Sequence, residues 1–298
     1  PRFAADAAEF AAKAGKPLVV STPQLPVAAA FAGAGCAVFE EEFAAVAALS
    51  QHVIHSERRR AARRRQGRLV RRRPAARRET LDESASLDLL SEMGLPVVAH
   101  RRCTDAPSAV AAFEELGGPV VVKGCSSRVA HKSELGLVHL GLDDPGAVAA
   151  AAACCLDRMA AAGIESAALL VAPMVGGVRE VLLGAHLDPV FGPVVAVGAG
   201  GTYVEVLADV ALLLPPFTKD DALGAIARLA MAPLLEGVRG EAAATVDAWA
   251  SAAVLLGRSI ADLERSLESV DANPYFLAPR GGGGGVIVDA VVQVGHPG

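Results

Sequence analysis

A chain of 298 residues, 52% hydrophobic and 20% charged with a mean hydropathy of +0.39, has enough apolar area for one large or two medium packed domains, which excludes disordered and fibrous classes. The apolar residues never form an uninterrupted run of 18, and the first ten residues, PRFAADAAEF, hold acids and no apolar stretch, so neither a transmembrane helix nor a signal peptide is expected and a cytoplasmic location follows. The net charge of -5 hides an asymmetry: twelve of the 28 basic residues and one of the 33 acids fall in residues 57–78, which leaves 16 against 32 elsewhere.

In chain order, an Ala-rich helix ends at Gly15, a short strand covers Pro17 to Ser21, a helix starts near Leu25, a strand covers Cys36 to Phe39, and a helix starts at Glu41. This alternation is that of a doubly wound layout but is too short for a whole one, so residues 1–55 are expected to be the C-terminal part of such a domain. The Arg-rich run then reads as a linker or exposed helix over residues 56–79, because so dense a block of like charge repels itself. A nucleic-acid patch is the disfavoured alternative, since no aromatic side chain interrupts the run to stack on bases. The five cysteines form an odd set with no CxxC spacing, which argues against disulfides and structural zinc.

From Thr80 onward a second domain, residues 80–298, is predicted. Thr80 and Glu83 have capping-box spacing, Leu87, Leu90 and Met93 lie on one helical face, and Gly94 is the stop. There follow a strand at Val97 to His100, a helix at Asp105 to Leu116, strands at Pro119 to Lys123 and Gly136 to Leu142, and a long helix from Asp144. Strands are next expected at Ala167 to Pro173, Arg179 to Ala185, Pro193 to Val197 and Tyr203 to Val206, then helices at Lys219 to Ala230 and Glu241 to Leu256. A final hairpin, Val270 to Leu277 and Val286 to Val294, turns at five consecutive glycines. Irregularly mixed helices and antiparallel strands make this an α+β layout.

Four places could carry chemistry. The segment PVVVKGCSSRVAHKSELGLVHL, residues 119–140, delivers Lys123 from an apolar strand into a small, polar loop before a second strand, an arrangement that can fold over a polyphosphate; a lysine reaching solvent is the plain alternative. His131 and Lys132 lie in that loop, and the histidine is either solvated or an acid, base or phosphoryl acceptor. At the terminal hairpin Asp271 and Asn273 share one face by the period-two rule and Asp289 sits on the other arm; oxygen donors so placed can hold Mg²⁺, or form an Asx turn before Pro274 beside a solvated carboxylate. Glu180 and Glu205 interrupt apolar strands, so each is on a wet face or held for a ligand. The cluster Gly198 to Gly201 follows a strand but lacks dinucleotide-fingerprint spacing, and no GxxxxGK[ST] occurs.

Taken together, PVVVKG, VAHKSELGLV, APMVGGVREVLLGAHLDPVFGPVVAVGAGGTYVEVLADVALLLPPF, PLLEGVRGE and VDANPYF followed by VIVDAVV resemble the ATP-grasp part of NDP-forming acyl-CoA synthetases, a group that includes ADP-forming acetate-CoA ligase and is related to the succinyl-CoA synthetase beta subunit. The resemblance covers most of residues 80–295 and implies two α+β lobes gripping ATP, preceded by a partial flavodoxin-like α/β segment. It implies the reaction of a small carboxylic acid, CoA and ATP to acyl-CoA, ADP and phosphate through a phosphohistidine. An idle ATP-binding or interaction module is the alternative.

By the same resemblance Lys123 holds the nucleotide phosphates, Pro173, Met174 and Val175 form the hinge along adenine, and Glu180 is an acid of the nucleotide site. Asn273 and Asp289 match Mg²⁺ ligands, Asp271 an acid facing a phosphohistidine, and His131 a phosphoryl carrier, while Glu205 and Asp209 fall beside the transfer site. Two positions depart from the pattern: Ala172 stands where an acid or Gln often precedes the hinge, and Arg128 where an acid is common. The CoA-binding domain and a primary phosphohistidine motif are not among these residues, so the resemblance implies a partner subunit or further domains that bring CoA, within an oligomer.

Overall fold

The computed structural model describes residues 2–64, 72, 74–129, 132, 135–164, 167–201, 209–238 and 240–296. The strand expected at Tyr203 to Val206 and the candidate residues His131 and Glu205 lie outside the described residues. The chain divides into two compact units, Pro1–Gly67 and Arg68–Gly298.

The first unit runs α1 (Arg2–Ala14), β1 (Val19–Ser21), α2 (Leu25–Gly33), β2 (Ala37–Phe39) and α3 (Glu42–Arg64). β1 and β2 pair in parallel, as strands joined through a crossover helix must. Phe3 meets Phe31 edge to face at 6.1 Å, yet Phe10, Leu25 and Phe43 stay exposed because a two-stranded sheet offers them little to pack on.

The second unit holds two antiparallel sheets. Its elements are β3 (Arg77–Thr80), α4 (Glu83–Glu92), β4 (Arg101–Cys103), α5 (Ala106–Leu116), β5 (Val120–Cys125), β6 (Val138–Leu142), α6 (Pro145–Ala161), β7 (Ala168–Pro173), β8 (Arg179–Asp188), β9 (Gly192–Ala199), β10 (Val210–Leu213), α7 (Lys219–Ile226), α8 (Ala232–Leu235), α9 (Val246–Ala261), β11 (Leu267–Leu277), β12 (Gly285–Ile287) and β13 (Ala290–His296). The four-stranded sheet has the order β4-β7-β5-β6 and packs one face on α5 and α6. The seven-stranded sheet runs β10-β9-β8-β11-β13-β3, with β12 also paired to β11. Its core includes the fully buried Trp249, whose Nε1 donates to Leu182 O at 3.2 Å.

Side-chain parity divides the four-stranded sheet between two cores. Val120, Val122, Leu169 and Val171 point to α5 and α6, whereas Val121, Cys125, Ala168, Leu170 and Ala172 join the core of the seven-stranded sheet. Lys123 shares the parity of Val121 and Cys125, so β5 delivers its side chain to the second face.

Three local expectations are corrected. The cap of α4 is Asp82, whose carboxylate accepts from Ala85 N at 2.9 Å; Thr80 instead ends β3, because β13 recruits residues 77–80 as an edge strand. Val97 to His100 is not a strand: Val97 forms an isolated bridge with Ile287, and the paired residues are Arg101–Cys103. The Arg-rich run is not wholly solvated. Helix α3 enters its start, while Arg72 donates to the carbonyls of Ile260 and Asp262 at the end of α9, at 3.1 and 3.2 Å, where a cation complements the helix dipole. Beyond the expected elements, β10 pairs with β9. Its alternating exposure left too weak a pattern in four residues.

Candidate active site

The site is built where the two sheets of the second unit meet. Asp82 fixes the start of α4 and places Glu83 at the first helical position, where the unpaired amides of the turn favour a negative charge. Ser86 Oγ accepts from Val292 N at 3.1 Å and Leu81 N donates to Val292 O at 2.9 Å, which ties this helix to β13. The Glu83 carboxylate has no solvent exposure, and it is not alone. Lys123 Nζ lies 2.6 Å from its Oε1, and Lys132 Nζ donates to its Oε2.

Both ammonium groups also face the connection between β12 and β13. Lys123 donates to Val288 O at 3.0 Å and to Asp289 Oδ2 at 3.2 Å, and Lys132 lies 3.6 Å from Asp289 Oδ1. Two buried cations thus share two carboxylates, one sealed and the other 30% exposed. Burial opposes the charge on Lys132, but the neighbouring Glu83 and Asp289 outweigh it and raise its pKa.

The hairpin brings the predicted oxygen donors into line. Ala272 opposes Ala290 and Tyr275 opposes Ile287, so the register between these pairs sets Asn273 level with Asp289. Asp271 is two residues back on β11, opposite Val291. Its side chain reaches solvent, yet the protein packed around it and then the charge of Asp289 raise its pKa. The amide oxygen of Asn273 and the carboxylate of Asp289 offer oxygen donors of the kind a hard divalent cation such as Mg²⁺ takes. Among the described residues no group of three or more His, Cys, Asp or Glu side chains is arranged to hold a metal by itself.

The glycine cluster closes this wall. Gly201 N donates to Asn273 Oδ1 at 3.3 Å, and Gly201 has φ +78 with the Glu180 carboxylate so near that an added Cβ would stand 2.7 Å from Oε2. The positive φ is what favours glycine there, since the exposed Glu180 side chain can swing aside, and the spacing of the cluster in sequence did not disclose it. Glu180 is exposed on β8, which places it on a wet face. The Pro173, Met174 and Val175 segment leaves the end of β7, where Met174 N donates to Pro119 O at 2.7 Å and the Met174 side chain is half exposed.

Lys123, Asn273 and Asp289 are therefore brought together, with Asp271 beside them, and the solvent-reaching alternative for Lys123 is removed by its burial. Asp209 is engaged elsewhere: its two carboxylate oxygens accept from Ala230 N and Met231 N, each at 2.8 Å. Sequence reasoning missed Glu83 as a site residue. The available signal was an acid at the first position of a helix that must be buried, and the capping-box spacing absorbed it.

Comparison with known proteins gives the following. A profile of the ATP-grasp domain family matches residues 72–294. The chain is 32% identical over 215 residues to the beta subunit of ADP-forming acetate-CoA ligase II of Pyrococcus furiosus, which covers 72% of this chain and 91% of that subunit. It is 32% identical over 209 residues to the ADP-forming 4-hydroxybutyrate-CoA ligase of Nitrosopumilus maritimus, covering 70% of this chain and 30% of that longer protein. Among solved structures, the dinucleotide-forming acetyl-coenzyme A synthetase 1 of Ca. Korarchaeum cryptofilum, in complex with coenzyme A and Ca-AMPCP, superposes with a TM-score of 0.67 at 30% identity, over 72% of this chain and 93% of that one.

Proposed function

The chain belongs to the ATP-grasp domain family of ADP-forming acyl-CoA ligases, and on that footing we propose that it binds ATP with Mg²⁺ and transfers the terminal phosphoryl group to a histidine, within the overall conversion of a carboxylic acid, CoA and ATP to acyl-CoA, ADP and phosphate. The observation that carries this reading is the meeting of Lys123 from one sheet with Asp289 from the other, at 3.2 Å, with Asn273 level on the adjacent strand. A cation and a set of oxygen donors that converge from two walls are what a triphosphate and its metal ion require.

In this reading Lys123 holds the phosphates, the Pro173 to Val175 segment carries the base, and Glu180 borders the nucleotide. Asn273 and Asp289 would hold Mg²⁺, which offsets charge on the transferring phosphoryl group when bound. The His131 imidazole supplies the lone pair that forms the P–N bond as the bond from phosphorus to the ADP oxygen breaks, and ADP leaves with that electron pair. By the family resemblance Asp271 faces the phosphohistidine and Glu205 and Asp209 belong beside the transfer site, although Asp209 is held by the amides of Ala230 and Met231. Beta-subunit relatives support a partner subunit that brings CoA and the acid, in an oligomer. No helix among the described residues is long and apolar enough to cross a membrane.

The test is incubation of the full chain with Mg²⁺ and γ-labelled ATP. An acid-labile, base-stable phosphoprotein that disappears in His131→Ala is expected. Nucleotide binding without label in the wild type would instead favour the idle module, a reading the ligase relatives do not support.

A further inference from the structure

The nucleotide reading uses Lys123 and Asp289 but gives no role to two members of the same cluster, Glu83, wholly buried at the start of α4, and Lys132, from the loop between β5 and β6. Their arrangement is not that of an ion pair kept for stability. Two ammonium groups divide the two oxygens of one sealed carboxylate, and burying such a group of charges is often no better for folding than well-packed apolar side chains. Both lysines share the sealed Glu83 and the more open Asp289, and Lys123 also donates to the Val288 carbonyl. Lysine suits this exchange because its ammonium is a point charge with three rotatable donors.

Resting on the nucleotide reading above, we propose that Lys132 is a second phosphate-binding cation and that Glu83 is the positioning residue that holds both ammonium groups. With Asp289 engaged by a metal ion, the lysines would be without the partner at the open side, and those donors would be free for phosphate oxygens. Glu83, which is sealed from solvent and fixed by the helix start, stays in place and keeps both cations pointed at the exchange. The Lys132 carbonyl accepts from Leu137 N at 2.9 Å, so its backbone is braced against the start of the following strand.

Calorimetric titration of the full chain with Mg·ATP, and separately with adenosine as a probe without phosphate, tests this. Lys132→Met is expected to weaken Mg·ATP about tenfold and to leave adenosine unchanged, the effect of one lost charge-assisted contact. Glu83→Gln is expected to weaken Mg·ATP more, and the double variant to match Glu83→Gln within about twofold, because groups that act as one unit are not additive. Wild-type Mg·ATP affinity in Lys132→Met, a parallel loss of adenosine binding, or fully additive losses would overturn the proposal. If Glu83→Gln does not fold, Lys132→Met alone decides. A wild-type chain that binds neither probe would fail the nucleotide reading itself, a result distinct from any of these.

Discussion

Two buried glutamates in the second unit each gather two cations, and they do so to different ends. Glu268 on β11 accepts from Ala75 N at 3.0 Å and lies 3.9 Å from Arg72 and 3.5 Å from Arg78. Arg72 directs its other donors to the carbonyls that end α9, so this cluster is closed by backbone groups that no ligand can replace. Glu83 holds lysines rather than arginines, and their other donors meet Asp289 and a loop carbonyl at the open side. A planar fork committed to backbone locks a segment in place, whereas a rotatable ammonium shared between two carboxylates can be reassigned.

The two carboxylates differ in which property goes with them. Glu268→Ala leaves Ala75 N without its partner and two guanidinium groups without their counter-charge, and it should cost about 3 to 5 kcal/mol in urea unfolding. Mg·ATP affinity per folded molecule should not change. A Glu268→Ala chain of wild-type stability would mean that the Arg-rich segment is held by something other than this carboxylate.

The next effect reads the ground around Glu83 through a thiol. Cys125 ends β5 in the same buried face, and burial, followed by the charges of Asp82 and Glu83 among other influences, pushes its thiol up from 9.0 to about 11. The folded state therefore favours the protonated thiol. The stabilisation is complete below pH 9, where both states are protonated, and is lost as pH rises through about 11, since the unfolded chain ionises first. Stability should fall by about 2 to 3 kcal/mol over that window from this group alone, and Cys125→Ala should flatten the limb accordingly. The buried Cys155, also pushed to about 11, adds a limb of its own that persists in the Cys125 variant. A flat wild-type profile between pH 9 and 11 would refute the account.

Lys123→Ala tests the open side directly. On the proposed role of Lys123, the loss is one charge-assisted contact to the triphosphate, expected at about 1.5 to 3 kcal/mol, or roughly 10- to 100-fold in Mg·ATP affinity. Adenosine binding should persist. Paired with Glu268→Ala, it gives the two clusters opposite signatures, one in affinity and one in stability.

How far these clusters were legible in sequence follows from what each residue needs. Lys123 was legible as a lone cation in an apolar strand beside a polar loop, but its face was not, because β5 is buried at every position and shows no alternation. Asn273 and Asp289 were legible because hairpin arms carry a fixed register. Glu83 and Glu268 were not, since a buried acid betrays itself only through partners 40 or more residues away, and the distances to Lys123 and Arg72 exist only in the folded chain. The same holds for Arg72: nothing local separates it from its neighbours in the run, and its role is set by the end of a helix 188 residues later. Thr80 was misread for the converse reason, a good local cap overridden by an edge strand.

The smallest expected effect concerns Asp209, where resemblance and geometry pull apart. The family pattern sets it beside phosphoryl transfer, yet its two oxygens accept the amides of Ala230 and Met231 while its own carbonyl accepts from Ala199 N at 3.0 Å. A carboxylate so used joins the end of β9 to the turn before α8. In Asp209→Asn one oxygen becomes an amide nitrogen that faces another donor, so one of the two contacts is lost and stability should drop by about 1 kcal/mol. Labelling by γ-labelled ATP, measured per folded molecule, should persist if holding the turn is its whole role. Unchanged stability with the label abolished would move this side chain from the turn to the phosphoryl group, and would show that its contacts to the two amides give way when nucleotide binds.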